Sequence, residues 1–576
     1  MVKLRVKHLT ISPDYPKMAA MRPFISILTL TLIVSLSAYA APVPPDAGQT
    51  IRELQKQPEL NPPKAIAPLR IEGEGAAQGA ASDDVRIAVK AIHVSGSSVF
   101  MAGELEALVA DLAGGERSLA ELDAGAARIT AYYRERGYVV ARAYLPAQEI
   151  VDGVVTINVL EGLVGQQRLN NQSRLSDERA NGYLLGIKSG DVLQAKPVDR
   201  ALLLLNDTPG IGGARATLQP GASVGTSDLV IELDPSTPYT ANVELDNYGN
   251  RYTGENRLGA ALAFNSPLQM GDQLTLRALT SDQDMTYARI AYQLPLGGSG
   301  LCAGAAYSDT HYKLGQEFAT LLAHGSATSS SLYAVYPFVR SQASNLSGTL
   351  TWEDKKLSDQ TDAPITVIDK RVKLASLGLA GNYQDALGGG GYTSFDLSLV
   401  SGHLSMDAAS LATDIATAKG NGAFMRIVSN LNRLQRLTDT NTLFIALSSQ
   451  LADKNLNSSE KFSLGGANGV RAYPQGEGSG DGGWLVNLEL RHSFVQTVQG
   501  VMFYDAGSVG INHNPFVVGA ANTRNIAGAG VGMNANIASV QIKTNLAWRT
   551  SGGVPTSEPV TLNRNPRLWL QASKQF

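Results

Sequence analysis

Tyr239-Thr240-Ala241-Asn242-Val243-Glu244-Leu245-Asp246 alternates strictly: Tyr239, Ala241, Val243 and Leu245 fall on one face, Thr240, Asn242, Glu244 and Asp246 on the other. Successive side chains of a strand point to opposite faces, so this stretch predicts a strand with one apolar and one charged face. The texture continues to the end of the chain. Thr286, Ala288, Ile290, Tyr292 and Leu294 oppose Arg289 and Gln293; Trp484, Val486, Leu488 and Leu490 oppose Asn487, Glu489 and Arg491; Val540, Ile542, Leu546 and Trp548 oppose Gln541, Lys543, Asn545 and Arg549. A soluble sandwich alternates too, but its polar face meets bulk water. Charges of both signs on one face and Gly- and Ser-rich connections suit a barrel with lipid outside and a wet lumen within.

The rest of the chain supports a membrane setting. Phe24–Ala40 is an uncharged, mostly apolar run preceded by Arg22 and closed by Ala38-Tyr39-Ala40, the pattern of a secretory signal with cleavage after Ala40. It is short for a transmembrane helix and is followed by Pro-rich sequence. Met21 gives a signal of ordinary length, so residues 1–20 are an extension under this reading. No later stretch approaches the roughly 20 apolar residues of a helical span; Ala201–Leu205 has only five. A membrane protein of this sequence is therefore a closed barrel. Residues 237–576 leave room for about 16 antiparallel strands at roughly 20 residues per strand and loop, an arithmetic that fourteen or eighteen strands also satisfy and that only the resemblance described below narrows to sixteen.

Composition excludes several classes. A net charge of -3 offers no basic face for nucleic acid. The single Cys302 permits no internal disulfide and starts no zinc cluster, and the seven His form no i, i+4 pair, so no metal or cofactor is expected. Gly476–Gly483 resembles a phosphate loop superficially, but no Lys-Ser or Lys-Thr follows it, and no G-x-S-x-G elbow is present. No enzyme is expected.

Ahead of the barrel the period changes twice. Residues 41–82 read as a linker with one short helix around Gln49–Gln57, Ile51 and Leu54 sharing a face. Residues 83–162 predict β-α-α-β-β: a strand at Val85–Val94, a helical stripe of Met101, Leu105, Leu108 and Leu112, a second helix opened by the capping box Ser118 and Glu121, then strands at Val139–Leu145 and Val154–Val159. Residues 163–236 repeat the order more loosely, with a helix at Val198–Asn206 and a closing strand at Leu229–Leu233.

Motifs in these two copies carry a resemblance. The first holds Arg136-Gly137-Tyr138, Leu145-Pro146, Gln148, Asp152-Gly153 and Glu161-Gly162; the second holds Asp199-Arg200-Ala201-Leu202, Asn206-Asp207, Pro209-Gly210, Pro220-Gly221 and Asp228-Leu229. Their spacing resembles the POTRA domains of two-partner secretion translocators. Gly137, Gly153 and Gly210 suit a structural role, as turns with positive φ. A functional surface in such a module would be its sheet edge, where an extended segment can add a strand.

Two barrel motifs extend the resemblance. Leu464-Gly465-Gly466-Ala467-Asn468-Gly469-Val470-Arg471-Ala472-Tyr473-Pro474 resembles the V-R-G-Y tip of a loop that folds back into the lumen in the POTRA-barrel superfamily, and Phe503-Tyr504-Asp505-Ala506-Gly507 resembles its inner-wall F-x-D-x-G motif. Alone, an Asp-x-Gly is usually a turn and an Arg in a Gly-rich loop is usually solvated. Together they imply that Arg471 pairs with Asp505, a contact strengthened by a confined lumen. Ala472 departs from the family's Gly, and its methyl disfavours positive φ at the tip.

The resemblance implies a membrane all-β barrel behind two small α+β POTRA domains. It would export a large secreted partner, adhesin- or haemolysin-like, without nucleotide hydrolysis, with the helix near Gln49 as a lumen plug. Outer-membrane lipid and the barrel assembly machinery are the other expected partners; the last strand, Leu568 to Phe576, ends in the aromatic typical of that machinery's clients. The alternative is an assembly insertase, which usually carries more POTRA copies and no plug. A passive porin leaves the two leading domains unexplained.

Overall fold

The computed structural model describes residues 44–54, 69–72 and 86–576; the expected signal segment lies outside them. Sixteen strands, from Tyr239–Asp246 to Arg567–Gln575, close into one antiparallel barrel in sequence order. Alternation explains the closure: one face of every strand must leave water, and a closed ladder leaves no unpaired edge. The ladders are uneven. Ser344–Asp362 pairs along its 19 residues with Ile365–Asp385, whereas the seam between first and last strands is only Asn242–Asp246 against Gln571–Gln575.

The outer face is the apolar one, with Val243, Leu245, Ile290, Trp484, Leu488 and Trp548 exposed, while Glu244, Asp246 and Asp505 are buried inside. The lumen-facing side is not polar throughout. Tyr312, Leu357, Val372, Leu374, Leu404 and Phe424 form an apolar cluster with Ala47, Ile51 and Leu54 of the helix Ala47–Leu54. That helix fills part of the lumen, and the facing wall is apolar to cover it.

The first small domain contains the helices Ala102–Ala107 and Leu119–Glu135 and a sheet ordered Ala91–Ser95, Val154–Leu160, Arg142–Tyr144. Ser118 and Glu121 form the capping box. The strand expected over Val85–Val94 is broken at Lys90: the N–H groups of Lys90 and Ala91 both donate to Gly153 O, so Arg86–Val89 pairs with Gly115–Ser118 and Ala91–Ser95 with Val154–Leu160. Val85 lies outside the described residues. Met101 does not join the apolar stripe. It precedes the helix in extended conformation and is 82% exposed, while Leu105 and Leu112 are buried. The strand expected over Val139–Leu145 shrinks to Arg142–Tyr144, because Tyr138 N–H closes the helix end on Tyr133 O and Ala141 N–H closes a following turn on Tyr138 O.

In the second domain Leu163–Asn171, Thr226–Pro235 and Ile211–Pro220 form a sheet under the helices Asp177–Gly182 and Ala195–Asp207. The helix buries Val198, Ala201, Leu202 and Leu205. Leu204 is buried as well, at the Gly300 turn of the barrel, which accounts for an apolar run wider than one stripe. The segment read as linker contributes a fourth strand: Arg70–Ile71 lies parallel on Ile211–Pro220, and Glu72 N–H donates to Leu218 O at 2.9 Å.

Candidate functional site

Residues 453–481, between the strands Asn441–Ala452 and Gly482–Val495, return into the barrel, where Phe462–Ser463 pairs with Ser479–Gly480. The tip is cross-braced by Val470 N–H to Leu464 O at 2.7 Å and Tyr473 N–H to Val470 O at 3.0 Å. Cross-strand register builds the wall beneath it. Asn487, Asp505 and Gly528 are direct neighbours in one row, Glu489, Phe503 and Gly530 in the next.

Arg471 lies on this patch, 5% exposed, over a fully buried Asp505. Its Nε and Nη2 donate to the two Asp505 oxygens at 2.9 and 2.8 Å, and its backbone N–H donates to the same carboxylate at 3.1 Å. Nη1 donates to Glu489 at 2.7 Å, and the guanidinium carbon lies 3.5 Å from the Phe503 ring centre. Asn487 donates both to Asp505 and to Gly469 O, so one amide joins wall and loop. Arg491 completes an alternating chain through Glu489 at 2.6 Å. Two cations and two carboxylates thus balance, which removes the cost of a lone buried charge. Val470 and Tyr473 are buried, and the Tyr473 hydroxyl donates to Ser551 O and Gly553 O at 2.7 and 2.9 Å.

Ala472 is absent from the residues with positive φ, so the tip tolerates its methyl without strain. Room comes from the wall: a Cβ added to Gly528 would lie 2.4 Å from the Ala472 methyl, and one added to Gly507 would lie 2.6 Å from Leu464. The Gly of the inner-wall motif is therefore a close-approach residue.

The helix Ala47–Leu54 is bound to the same loop. Ser458 Oγ donates to Asp46 at 2.7 Å, and Arg52 Nη1 donates to Lys461 O at 2.7 Å and to Ser479 Oγ at 3.1 Å. Against the wall, Ala47 N–H donates to Asp359 at 2.7 Å. Helix and loop together occupy the lumen.

The other motif residues lie at joints. Gly137, Gly153 and Gly210 all have positive φ, as does Asp152. Gly137 O accepts from Ala195 N–H at 2.9 Å, and the buried Tyr138 bonds Gln194 through its hydroxyl, so this pair joins the two small domains. Gly210 contacts the Ser266 turn of the barrel, and Arg340 grips Asp207 with two bonds at 2.6 and 2.8 Å. Sequence reading missed Glu489, Asn487 and Gly528 as contacts of the tip. The first two belonged to a noted polar face; a signal for the third was available in Gly528, Gly530 and Gly532, spaced by two in one strand, which marks close backbone approach.

Comparison with known proteins agrees with this architecture. Residues 225–535 match the family of haemolysin secretion/activation proteins ShlB/FhaC/HecB, and residues 87–162 match the ShlB-type POTRA domain. The heme/hemopexin transporter protein HuxB of Haemophilus influenzae is 30% identical over 504 residues, covering 84% of this chain and 88% of that one. The outer membrane transporter CdiB of Dickeya dadantii is 25% identical over 63% of the chain and 64% of its own length. Among solved structures, CdiB from Escherichia coli shares the fold with a TM-score of 0.69 at 20% identity, covering 92% of this chain and 96% of that one. The chain belongs to the haemolysin secretion/activation protein (ShlB/FhaC/HecB) family, as a two-partner secretion transporter in the outer membrane with its POTRA domains in the periplasm.

Proposed function

We propose that this transporter recognises an extended segment of its exoprotein at the periplasmic sheet edges and passes it outward through the barrel without hydrolysing nucleotide. The observation that carries this reading is the filled lumen: two pieces of chain that are not wall, the helix Ala47–Leu54 and the tip Val470–Tyr473, occupy the route. Both are held by polar contacts that a competing chain can replace one for one. Arg471, paired with Asp505 and Glu489, is the lock on the loop.

The sheet edge offered by Ile211–Pro220 is already occupied by Arg70–Ile71, on the segment that leads from the lumen helix. An incoming strand pairing there displaces that segment by mass action, which couples recognition to release of the helix. Energy comes from binding and from folding of the exoprotein outside, since the periplasm supplies no nucleotide. The partner is a large secreted protein, either of the haemolysin or hemopexin-related kind that the relatives' names suggest or an adhesin. An insertase role has less support: an insertase gains nothing from a helix seated in its lumen.

Co-expression with the exoprotein tests the reading. Export into the medium is expected with the intact chain and impaired with Arg471→Ala, whose loop no longer returns to a defined locked position between transport events, while that variant still inserts. Normal export by Arg471→Ala, or export without the chain, overturns it. Accumulation of the exoprotein in the periplasm with changed abundance of other outer-membrane proteins favours the insertase.

A further inference from the structure

The loop tip has a second attachment that no motif marks. Glu477, on the descending limb of residues 453–481, is fully buried, and its carboxylate collects six contacts. Arg524 Nε and Nη2 donate to it at 2.9 and 2.6 Å from the strand Thr523–Ile537. The other four come from the last extracellular loop: the backbone N–H groups of Thr556 and Ser557, both at 2.9 Å, and their hydroxyls at 3.1 and 2.7 Å. Arg524 also donates to Gly552 O and Val554 O of that loop at 2.6 and 3.0 Å.

The chain of contacts continues across the barrel's weakest joint. Ser557 O accepts from the Tyr252 hydroxyl at 3.1 Å, and Arg564 pairs with Glu255 at 2.6 Å, both on the first extracellular loop. First and last strands meet along only five residue pairs, the shortest ladder of the barrel, and these loop contacts bridge their outer ends. Glu477 thus joins the inward loop, the wall and the mouth over the seam.

We propose that Glu477 and Arg524 form a second lock, separate from Arg471 and Asp505, whose release frees the last extracellular loop and opens the exit. Withdrawal of the tip cannot proceed with Glu477 in place, because its limb is stitched to Thr556 and Ser557. Loop and mouth therefore open together. Both residues are positioning residues for transport. The inference rests on the inward loop being the gate.

The test uses the full-length chain in planar lipid bilayers, comparing Glu477→Gln and the double variant Thr556→Val/Ser557→Ala with wild type and Arg471→Ala. The double variant removes donors at the surface and keeps the buried charge pair, so it guards against a folding defect; heat-modifiable migration checks the barrel in each case. Both variants are expected to raise open-state occupancy by a factor on the order of ten, the shift from losing charge-assisted hydrogen bonds in one of two states. Wild-type occupancy in both, with Arg471→Ala open, overturns the second lock and leaves the gate intact. Wild-type occupancy in all three overturns the gate itself.

Discussion

Replacing Arg471 by alanine removes three bonds to carboxylates and the contact with Phe503, and leaves its backbone N–H on Asp505. Breaking a buried ion pair from one side costs about 3–5 kcal/mol because the remaining charge is stranded. Here the stranding is partial: Asp505 keeps Asn487 at 2.7 Å, and Glu489 keeps Arg491 at 2.6 Å. The lower end, about 3 kcal/mol, is the appropriate figure, and at about 1.4 kcal/mol per decade it shifts the balance between locked and released loop roughly 100-fold. Arg471→Lys should recover only part of this, since an ammonium cannot bridge both Asp505 oxygens in one plane. Conductance in planar bilayers reads the released state, and export of the exoprotein reads function. A conductance unchanged in Arg471→Ala, with the barrel folded, would refute the assignment of the locking energy to this side chain.

Three further outcomes follow from local geometry. Gly528→Ala places a methyl 2.4 Å from Ala472, an overpacking worth about 1–3 kcal/mol, and should raise conductance; adding Ala472→Gly should restore wild-type behaviour, and failure of that rescue would show that the two do not share one space. Glu72→Pro deletes the N–H that bonds Leu218 O and should tighten binding of an extended exoprotein segment to the second periplasmic domain, by roughly threefold to tenfold for one hydrogen bond, measurable by calorimetry; unchanged affinity would mean that this edge is not the docking site. In the first periplasmic domain, burial pushes the Glu161 carboxyl up, but hydrogen bonds from Ser98, Val99 and Tyr133 outweigh it and hold the group below the ordinary glutamate range. A depressed folded value means that the stabilisation is present above the unfolded value and is lost as pH falls through the folded one. Glu161→Gln should therefore flatten the acid limb of amide-exchange protection in that domain, while an unaltered limb would point to another group.

What the sequence disclosed divides along the range of the interaction. Lipid and lumen act on every strand alike, so alternation exposed the barrel and its outward face, whereas the number sixteen needed the resemblance as well as the length. Arg471 and Asp505 were legible only as a pair of motifs; either alone is an ordinary loop or turn. Glu489 stayed hidden because a Glu on the polar face of an alternating strand reads as solvated, and only cross-strand register shows that it shares a patch with Asp505. Arg70–Ile71 stayed hidden because two residues have no period, and their partners Thr217 and Leu218 are each 147 positions away. Met101 misled for a related reason: a helical stripe assumes helical backbone, and the residue before the first turn is extended. The apolar lumen wall was missed because strand polarity was assigned by face, as if one solvent filled the interior, when Val372, Leu374 and Phe424 face a helix from the other end of the chain. Those residues make the position of the helix testable from the wall alone: an inward face that turns apolar where Ile51 and Leu54 dock would otherwise expose hydrocarbon to water, so the closed state belongs to the design of the barrel as much as to the plug.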